Sequence, residues 1–157
     1  MNLQHLFAEY GLYPSTFLVC FVSGFIPVVN AEVYLAAVSM VAPKFSAFPL
    51  AFTAASGQMI AKSIIYLAGR GVLRLPIKRY EKKMDRVAEQ IEAWGTKTGL
   101  FTFISAFTGF PPFYAVSFLA GVLNVKFQRF FLYGFLGRLL RFFVVVLFPR
   151  AVGELIK

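Results

Sequence analysis

Polar and apolar positions along the chain alternate between long uncharged stretches and short basic ones. No charged residue occurs from Tyr10 to Asn30, nor from Gly99 to Val125. Runs of this length exceed the ~18–20 apolar residues that cross a bilayer core. Each is broken near its middle. In the first, Pro14-Ser15-Thr16 predicts a helix start, and an apolar helix then runs to about Phe25. Ile26 to Asn30 breaks it, because Pro27 removes an amide and disfavours helix at Ile26. Asn30 is an apt N-cap for a second helix, Ala31 to Ala42. At ~1.5 Å per residue neither arm of about a dozen residues spans the membrane alone. The pair reads as a re-entrant hairpin, with one kinked spanning helix as the alternative. Ser46 to Gly69 is long enough to span. Pro76 to Trp94 carries Ile77, Tyr80, Met84, Val87, Ile91 and Trp94 at spacings of three and four, one stripe of a helix. With lysines on its other face it reads as an interfacial helix, or else as a short coiled-coil seam. Thr98 to Asn124 repeats the broken pair, with Pro111 and Pro112 at the break. Phe127 to Phe148 repeats the span, and Pro149 is expected to end it.

The repetition extends to residues. FVSGFIPVVNAEVYLAAVS begins at Phe21 and FISAFTGFPPFYAVSFLAGVL at Phe103. Phe21, Ser23 and Phe25 match Phe103, Ser105 and Phe107 at one offset. After two extra residues, Pro27, Leu35 and Ala36 match Pro111, Leu119 and Ala120. Paired, interrupted apolar segments in two halves are a sequence pointer to a transport site within a membrane. The expected fold is therefore an all-α integral membrane domain over 1–157. It is an inverted repeat of re-entrant hairpin plus transmembrane helix, with an interfacial amphipathic helix between the halves. The first half covers about 14–70, a cytoplasmic connector 71–97 and the second half 98–149.

Composition agrees. At 59% hydrophobic and 18% aromatic residues, the chain carries more apolar surface than a soluble domain of this size hides. The net charge of +9 is concentrated in Arg70 to Lys97 and the Lys126/Arg129 pair. Such clusters mark the cytoplasmic side and favour anionic headgroups; nucleic acid is not an expected partner. With both clusters inside, the first hairpin opens outward, the second opens to the cytoplasm, and the halves are inverted. The N-terminus shows no basic n-region or cleavage site, so no signal peptide is expected. Cys20 is the single cysteine and His5 the single histidine. Neither a metal site, a cofactor nor histidine catalysis is expected, and no nucleophile elbow is seen.

The candidate chemistry lies in charges at membrane depth: Glu32, Lys62, Arg138 and Arg141. Each costs ~2.5–3.5 kcal/mol to insert and so calls for a partner or a role. A helix N-terminus offers Glu32 only ~0.3–1 kcal/mol; ion pairing or function is the stronger reading. Gln58, Lys62 and Tyr66 are spaced by four on one helix face, with Gly57 and Ala61 beside them for close packing. Arg138 and Arg141 follow Gly134 and Gly137, and superposing Gly57-Gln58 on Gly137-Arg138 makes the two polar faces equivalent. Arg141 could instead snorkel to an interface. One carboxylate against three cations leaves surplus positive charge, which suits a phosphate-bearing ligand gripped by arginine. Both breaks also offer helix N-termini to an anion.

The segments SGFIPVVNAEVYL, ASGQMIAKSIIYLAGRG and AGVLNVKFQRFFLYGFLGRLLRF together resemble the DedA family, whose shared region is the VTT or SNARE-associated domain. The similarity runs roughly from Phe21 to Phe142. It implies two facing re-entrant hairpins and movement of lipids across membranes. In bacterial members it implies recycling of undecaprenyl phosphate with dependence on the proton-motive force, and in eukaryotic relatives phospholipid scrambling. By position, Glu32 matches the family's acidic residue after the first break. Gly57, Tyr66, Gly69 and Arg70 match its next run, and Pro111, Ala120, Gly121, Phe130 and Gly137 the second hairpin and last span. Gln58 stands where many members carry aspartate, and Lys62 adds a charge. The arginines usual around Pro111 are missing, with Phe107 and Phe113 in the vicinity instead.

The leading expectation is a non-enzymatic lipid flippase or scramblase of DedA type in a bacterial inner membrane. Its substrate would be a phosphate-headed anionic lipid, with Glu32, Gln58, Lys62, Tyr66, Arg138 and Arg141 as substrate- or proton-binding residues. Pro27, Asn30, Pro111 and Pro112 would form the breaks. A small-solute or ion transporter on the same hairpins and a structural membrane protein recruiting a partner are the alternatives; assembly into a homo-oligomer is left open.

Overall fold

A computed structural model of the chain describes residues 3–26, 28–42, 46–72, 89, 93 and 96–156. Among these the structure is all-helical, without strands. Six helices follow one another: α1 (Leu3–Phe25), α2 (Ala31–Val41), α3 (Ala47–Val72), α4 (Thr96–Thr108), α5 (Phe113–Val122) and α6 (Phe127–Leu155). The 26 residues of α3 and the 29 of α6 reach about 39 and 43 Å. Both are long and apolar enough to cross a membrane. The interfacial helix expected over Pro76–Trp94 lies outside the described residues apart from Glu89 and Ala93, which are helical. Pro27 also lies outside them.

Two expected boundaries move. The first helix does not start at Pro14-Ser15-Thr16: α1 begins at Leu3 and carries Pro14 inside it, for 23 residues in all. Its hydroxyls are committed elsewhere than to capping. Ser15 Oγ donates back to the Gly11 carbonyl at 2.6 Å, and Thr16 Oγ1 lies 3.3 Å from Tyr34 Oη of α2. The first arm is thus about twice the expected dozen residues, although its apolar part, Tyr10–Phe25, is shorter than a span. Likewise Pro149 does not end the last helix, which continues to Leu155. A proline forfeits one intrahelical hydrogen bond, and the following residues include the helix formers Ala151, Glu154 and Leu155, which resume the helix.

The chain divides into two compact units whose boundaries fall inside α3 and α6: Met1–Ala61 with Leu139–Lys157, and Lys62–Arg138. In the first unit, α1 and α2 pack with the N-terminal half of α3 and the C-terminal half of α6. Cys20, Leu35, Leu50, Ala54, Met59, Phe142 and Val146 form its buried core. Small residues set the spacing here. A Cβ on Gly57 would lie 2.5 Å from the Phe17 carbonyl oxygen, and one on Gly24 would strike the Ala61 side chain.

In the second unit, α4 and α5 pack with the C-terminal half of α3 and the N-terminal half of α6. Gly69 of α3 faces the Phe118 carbonyl of α5, while Gly121 of α5 faces the Tyr66 carbonyl of α3 and the Arg70 amide. Two backbones at this distance leave no room for a side chain on either. A Cβ on Gly137 of α6 would lie 2.7 Å from the Phe103 carbonyl oxygen of α4. The unit's core is aromatic: Tyr66, Phe113 and Phe130 are fully or almost fully buried.

The environments of Gly57 and Gly137 give a register for comparing α1 with α4. Gly57 abuts Phe17 O and Phe21 N, and Gly137 abuts Phe103 O and Phe107 N. Phe17 and Phe21 stack at 6.4 Å and 7°; Phe103 and Phe107 stack at 6.3 Å and 7°. By packing, Phe21 therefore corresponds to Phe107, one helical turn away from the Phe103 that sequence identity assigns to it. Sequence identity counts matched letters, whereas packing selects the turn against which a glycine can close.

Candidate functional site

Two polar clusters lie among these helices, one in each unit. In the first unit, Asn30 stands before α2 with extended backbone, and its Oδ1 accepts from the amides of Glu32 at 2.9 Å and Val33 at 3.3 Å. This cap fixes where α2 begins and points Glu32 into the first turn. Glu32 Oε1 accepts from Arg141 Nε at 2.6 Å, and Arg141 Nη2 lies at the same distance. The two side chains are 32% and 22% exposed, so the pair is only partly withdrawn. Arg141 is bound to Glu32 rather than snorkelling alone. Gln58 belongs to the same unit and is buried. Its Nε2 donates to Ser23 Oγ at 2.8 Å, and Ser23 in turn donates to the Cys20 carbonyl at 2.8 Å. The buried Gln58 Oε1 has no hydrogen-bond partner among the described residues.

In the second unit the break before α5 is shaped by its own hydroxyls. Ser105 Oγ donates to the Pro111 carbonyl at 2.6 Å, and the Phe110 amide donates to Thr108 Oγ1 at 3.2 Å. Gly109 turns the chain at φ 80°, where only glycine sits without strain. Pro112 is the N-cap of α5 and provides no side-chain cap. The first intrahelical bonds come from Ala115 and Val116 to its carbonyl.

The buried cations gather at this helix start. Arg138 Cζ lies 5.0 Å from the centre of the Phe113 ring, and Lys62 Nζ lies 6.0 Å from that of Tyr114. Arg138 is 8% and Lys62 5% exposed, and the two are close enough to interact electrostatically. Beneath Arg138 the rings continue as a stack, Phe113 on Phe130 at 6.1 Å and Phe130 on Tyr66 at 4.9 Å. An aromatic face stabilises a desolvated cation by ~2 kcal/mol or more. Two cations, a helix N-terminus and a low-dielectric wall together favour a negatively charged group.

Of the residues singled out from sequence, Asn30, Glu32 and Arg141 come together in the first unit, as do Lys62, Arg138 and Pro112 in the second. Tyr66 does not join Lys62 and Arg138: its hydroxyl donates to the Val125 carbonyl, at the turn between α5 and α6, and lies beside the Arg70 guanidinium. Pro111 acts through its carbonyl, as the acceptor for Ser105. Sequence reading missed Ser23 and Ser105 as the hydroxyls that hold Gln58 and the second break, and Tyr114 as a ring beside Lys62. The two serines were visible as a matched pair in the repeated text, although by packing they are not equivalent and they hold different partners.

Neither the curated proteins nor the solved structures include a match to this chain. A family model does match: the VTT domain, over residues 26–150. That span contains Asn30, Glu32 and Gln58, the cation pair at α5, all of α3 and α6 as far as Arg150, so with most of its length covered the chain belongs to the VTT-domain, or DedA, family of transporter-like membrane proteins.

Proposed function

We propose that the protein moves a phosphate-headed lipid, undecaprenyl phosphate or a phospholipid, across a bacterial inner membrane. The observation that carries this reading is the start of α5. There Lys62 and Arg138, both buried, meet a helix N-terminus that has no side-chain cap. Such a combination stabilises a phosphate through charge, forked guanidinium donors and helix amides. The start of α2 offers no equivalent, because Asn30 occupies its amides and Glu32 brings a negative charge. In this reading the α4–α5 pair and the α1–α2 pair are re-entrant hairpins of an inverted repeat. Their breaks lie at depth, where irregular backbone is tolerated only when buried in protein or lining a wet cavity.

The headgroup would rest on Lys62 and Arg138 while its tails stay in lipid. Glu32 would release Arg141 when it takes up a proton, coupling movement to a proton gradient. Translocation is tested by reconstituting the protein into vesicles with fluorescent undecaprenyl phosphate in one set and a fluorescent phospholipid in another. Wild type should translocate one or both, and Arg138→Ala should lower the rate by about a hundredfold, the scale of losing one buried charge-assisted contact. No translocation of either lipid by folded wild type would overturn the proposal. Uptake of inorganic phosphate instead would point to a small-solute carrier on the same scaffold.

A further inference from the structure

Outside the charged clusters, the second unit holds a cavity of about 210 Å³ between α4 and α5. Phe101, Ala115, Leu119 and Leu123 line it, together with Thr98 at the start of α4 and Val125 just after α5. Its threonines add little polarity. Thr102 Oγ1 turns back to the Thr98 carbonyl at 2.9 Å, so that hydroxyl is satisfied within its own helix. The volume exceeds the ~150 Å³ apolar cavity that accepts benzene. It is far too small for a helix ~10 Å across. A stretch of flexible hydrocarbon chain fits.

Two of the lining residues have a lysine as their neighbour in the chain. Lys97 precedes Thr98 and Lys126 follows Val125; both lysines are exposed. They stand at the first turn of α4 and immediately before α6, where helix amides add to the positive potential. The turn that presents Lys126 is held in place. Asn124 takes a left-handed conformation at φ 53°, the Val125 amide donates to the Ala120 carbonyl at 2.9 Å, and Tyr66 Oη donates to the Val125 carbonyl. An apolar slot for a chain, with two exposed lysines each one residue from its lining, suits an amphiphile with an anionic head.

We propose that this groove is a binding site for a resident anionic glycerophospholipid, one acyl chain lying along Phe101, Ala115 and Leu119 and the phosphate resting on Lys97 and Lys126. The site is separate from the Lys62–Arg138 cluster and does not depend on the transport reading. A free phosphate would have no use for the slot, and a neutral lipid would have none for the lysines.

The full-length protein in phosphatidylcholine nanodiscs tests this, using phosphatidylglycerol or phosphatidylcholine with a photoactivatable diazirine in one acyl chain. Cross-linked peptides are located by mass spectrometry. Phosphatidylglycerol should label the Phe101 and Leu119 segments about thirtyfold more than phosphatidylcholine does, the scale set by two lysines at a lipid surface. K97Q/K126Q should reduce its labelling to the phosphatidylcholine level, and A115L, which fills the slot, should abolish labelling with both lysines kept. Thermal unfolding identical to wild type qualifies each variant; K97Q and K126Q alter exposed side chains and provide the decisive comparison if A115L misfolds. Equal labelling by the two lipids in wild type would overturn the proposal, as would groove labelling that survives A115L. R138A must retain labelling; if it is lost, the slot belongs to the transport path and the separate site is refuted.

Discussion

At the scale of single residues, the two units treat charge differently. Glu32 and Arg141 satisfy one another at 2.6 Å, whereas Lys62 and Arg138 share a sign and are stabilised by rings. A partly exposed ion pair contributes less than the ~3–5 kcal/mol lost when one partner of a fully buried pair is removed. Glu32→Gln should therefore destabilise the protein by about 1–2 kcal/mol, leaving Arg141 with a neutral acceptor. Adding Arg141→Gln should restore most of that loss, because two amides can pair without charge. Denaturant unfolding in detergent across the four proteins measures the coupling, and strict additivity would show that the pair contributes nothing. Transport gives a separate readout: if Glu32 carries the coupling proton, Glu32→Gln removes gradient-driven uptake. These charges were legible in sequence because each is costly in lipid and so stands out. Their partners were less legible, since a pairing such as Glu32 with Arg141 spans 109 positions that no local pattern connects.

At the scale of helices, caps and glycines determine where elements begin and how closely they approach. Asn30 donates no charge but accepts two amides, and Asn30→Ala should cost about 1 kcal/mol, the usual loss for an N-cap. Gly121 is more demanding. A methyl group there would collide with the Tyr66 carbonyl and lie 2.8 Å from the Arg70 amide, both backbone atoms that cannot rotate away. Gly121→Ala should force α3 and α5 apart at a cost of about 1–3 kcal/mol or more. Gly71→Ala, whose added methyl meets nothing within 4 Å, should be neutral or slightly stabilising. A matched pair of melting curves decides this, and equal stability of the two variants would contradict the packing. The sequence already suggested α2, α3, α5 and the Asn30 cap, because capping and glycine approach are rules of local chemistry. It misjudged Pro14 and Pro149, since a proline's local penalty does not end a helix that neighbouring residues and packing sustain. The one-turn shift between Phe21 and Phe107 was hidden for a related reason: it is fixed by where Gly57 and Gly137 close on another backbone.

At the scale of the whole molecule, membrane topology is the consequence that separates re-entrant hairpins from kinked spanning helices. If α4 and α5 return to the side they left, Lys97 before the break and Lys126 after it face the same compartment. If they cross, the two face opposite ones, and Lys126 with Arg129 would sit outside, against the tendency of basic residues to remain in the cytoplasm. Helix length does not separate the two arrangements, because arms too short to cross singly suffice when added end to end. The 13 residues of α4 and 10 of α5 reach only about 20 and 15 Å at the helical rise, each short of a ~30 Å hydrocarbon core. Cys20 is the single cysteine and is buried, so replacing it with alanine gives a background on which single cysteines report alone. K97C and K126C on that background should both react with a membrane-impermeant maleimide in inverted vesicles, and neither should react in right-side-out ones. A cysteine in place of Lys44, between α2 and α3 in sequence, should show the opposite pattern if α3, long and apolar enough to cross, does so with Arg70 at its far end. Labelling of K126C from outside with K97C labelled from inside would make α4–α5 a crossing segment. The proposed anion site at the start of α5 would then lie within a kinked span, and the inverted repeat would have to be abandoned.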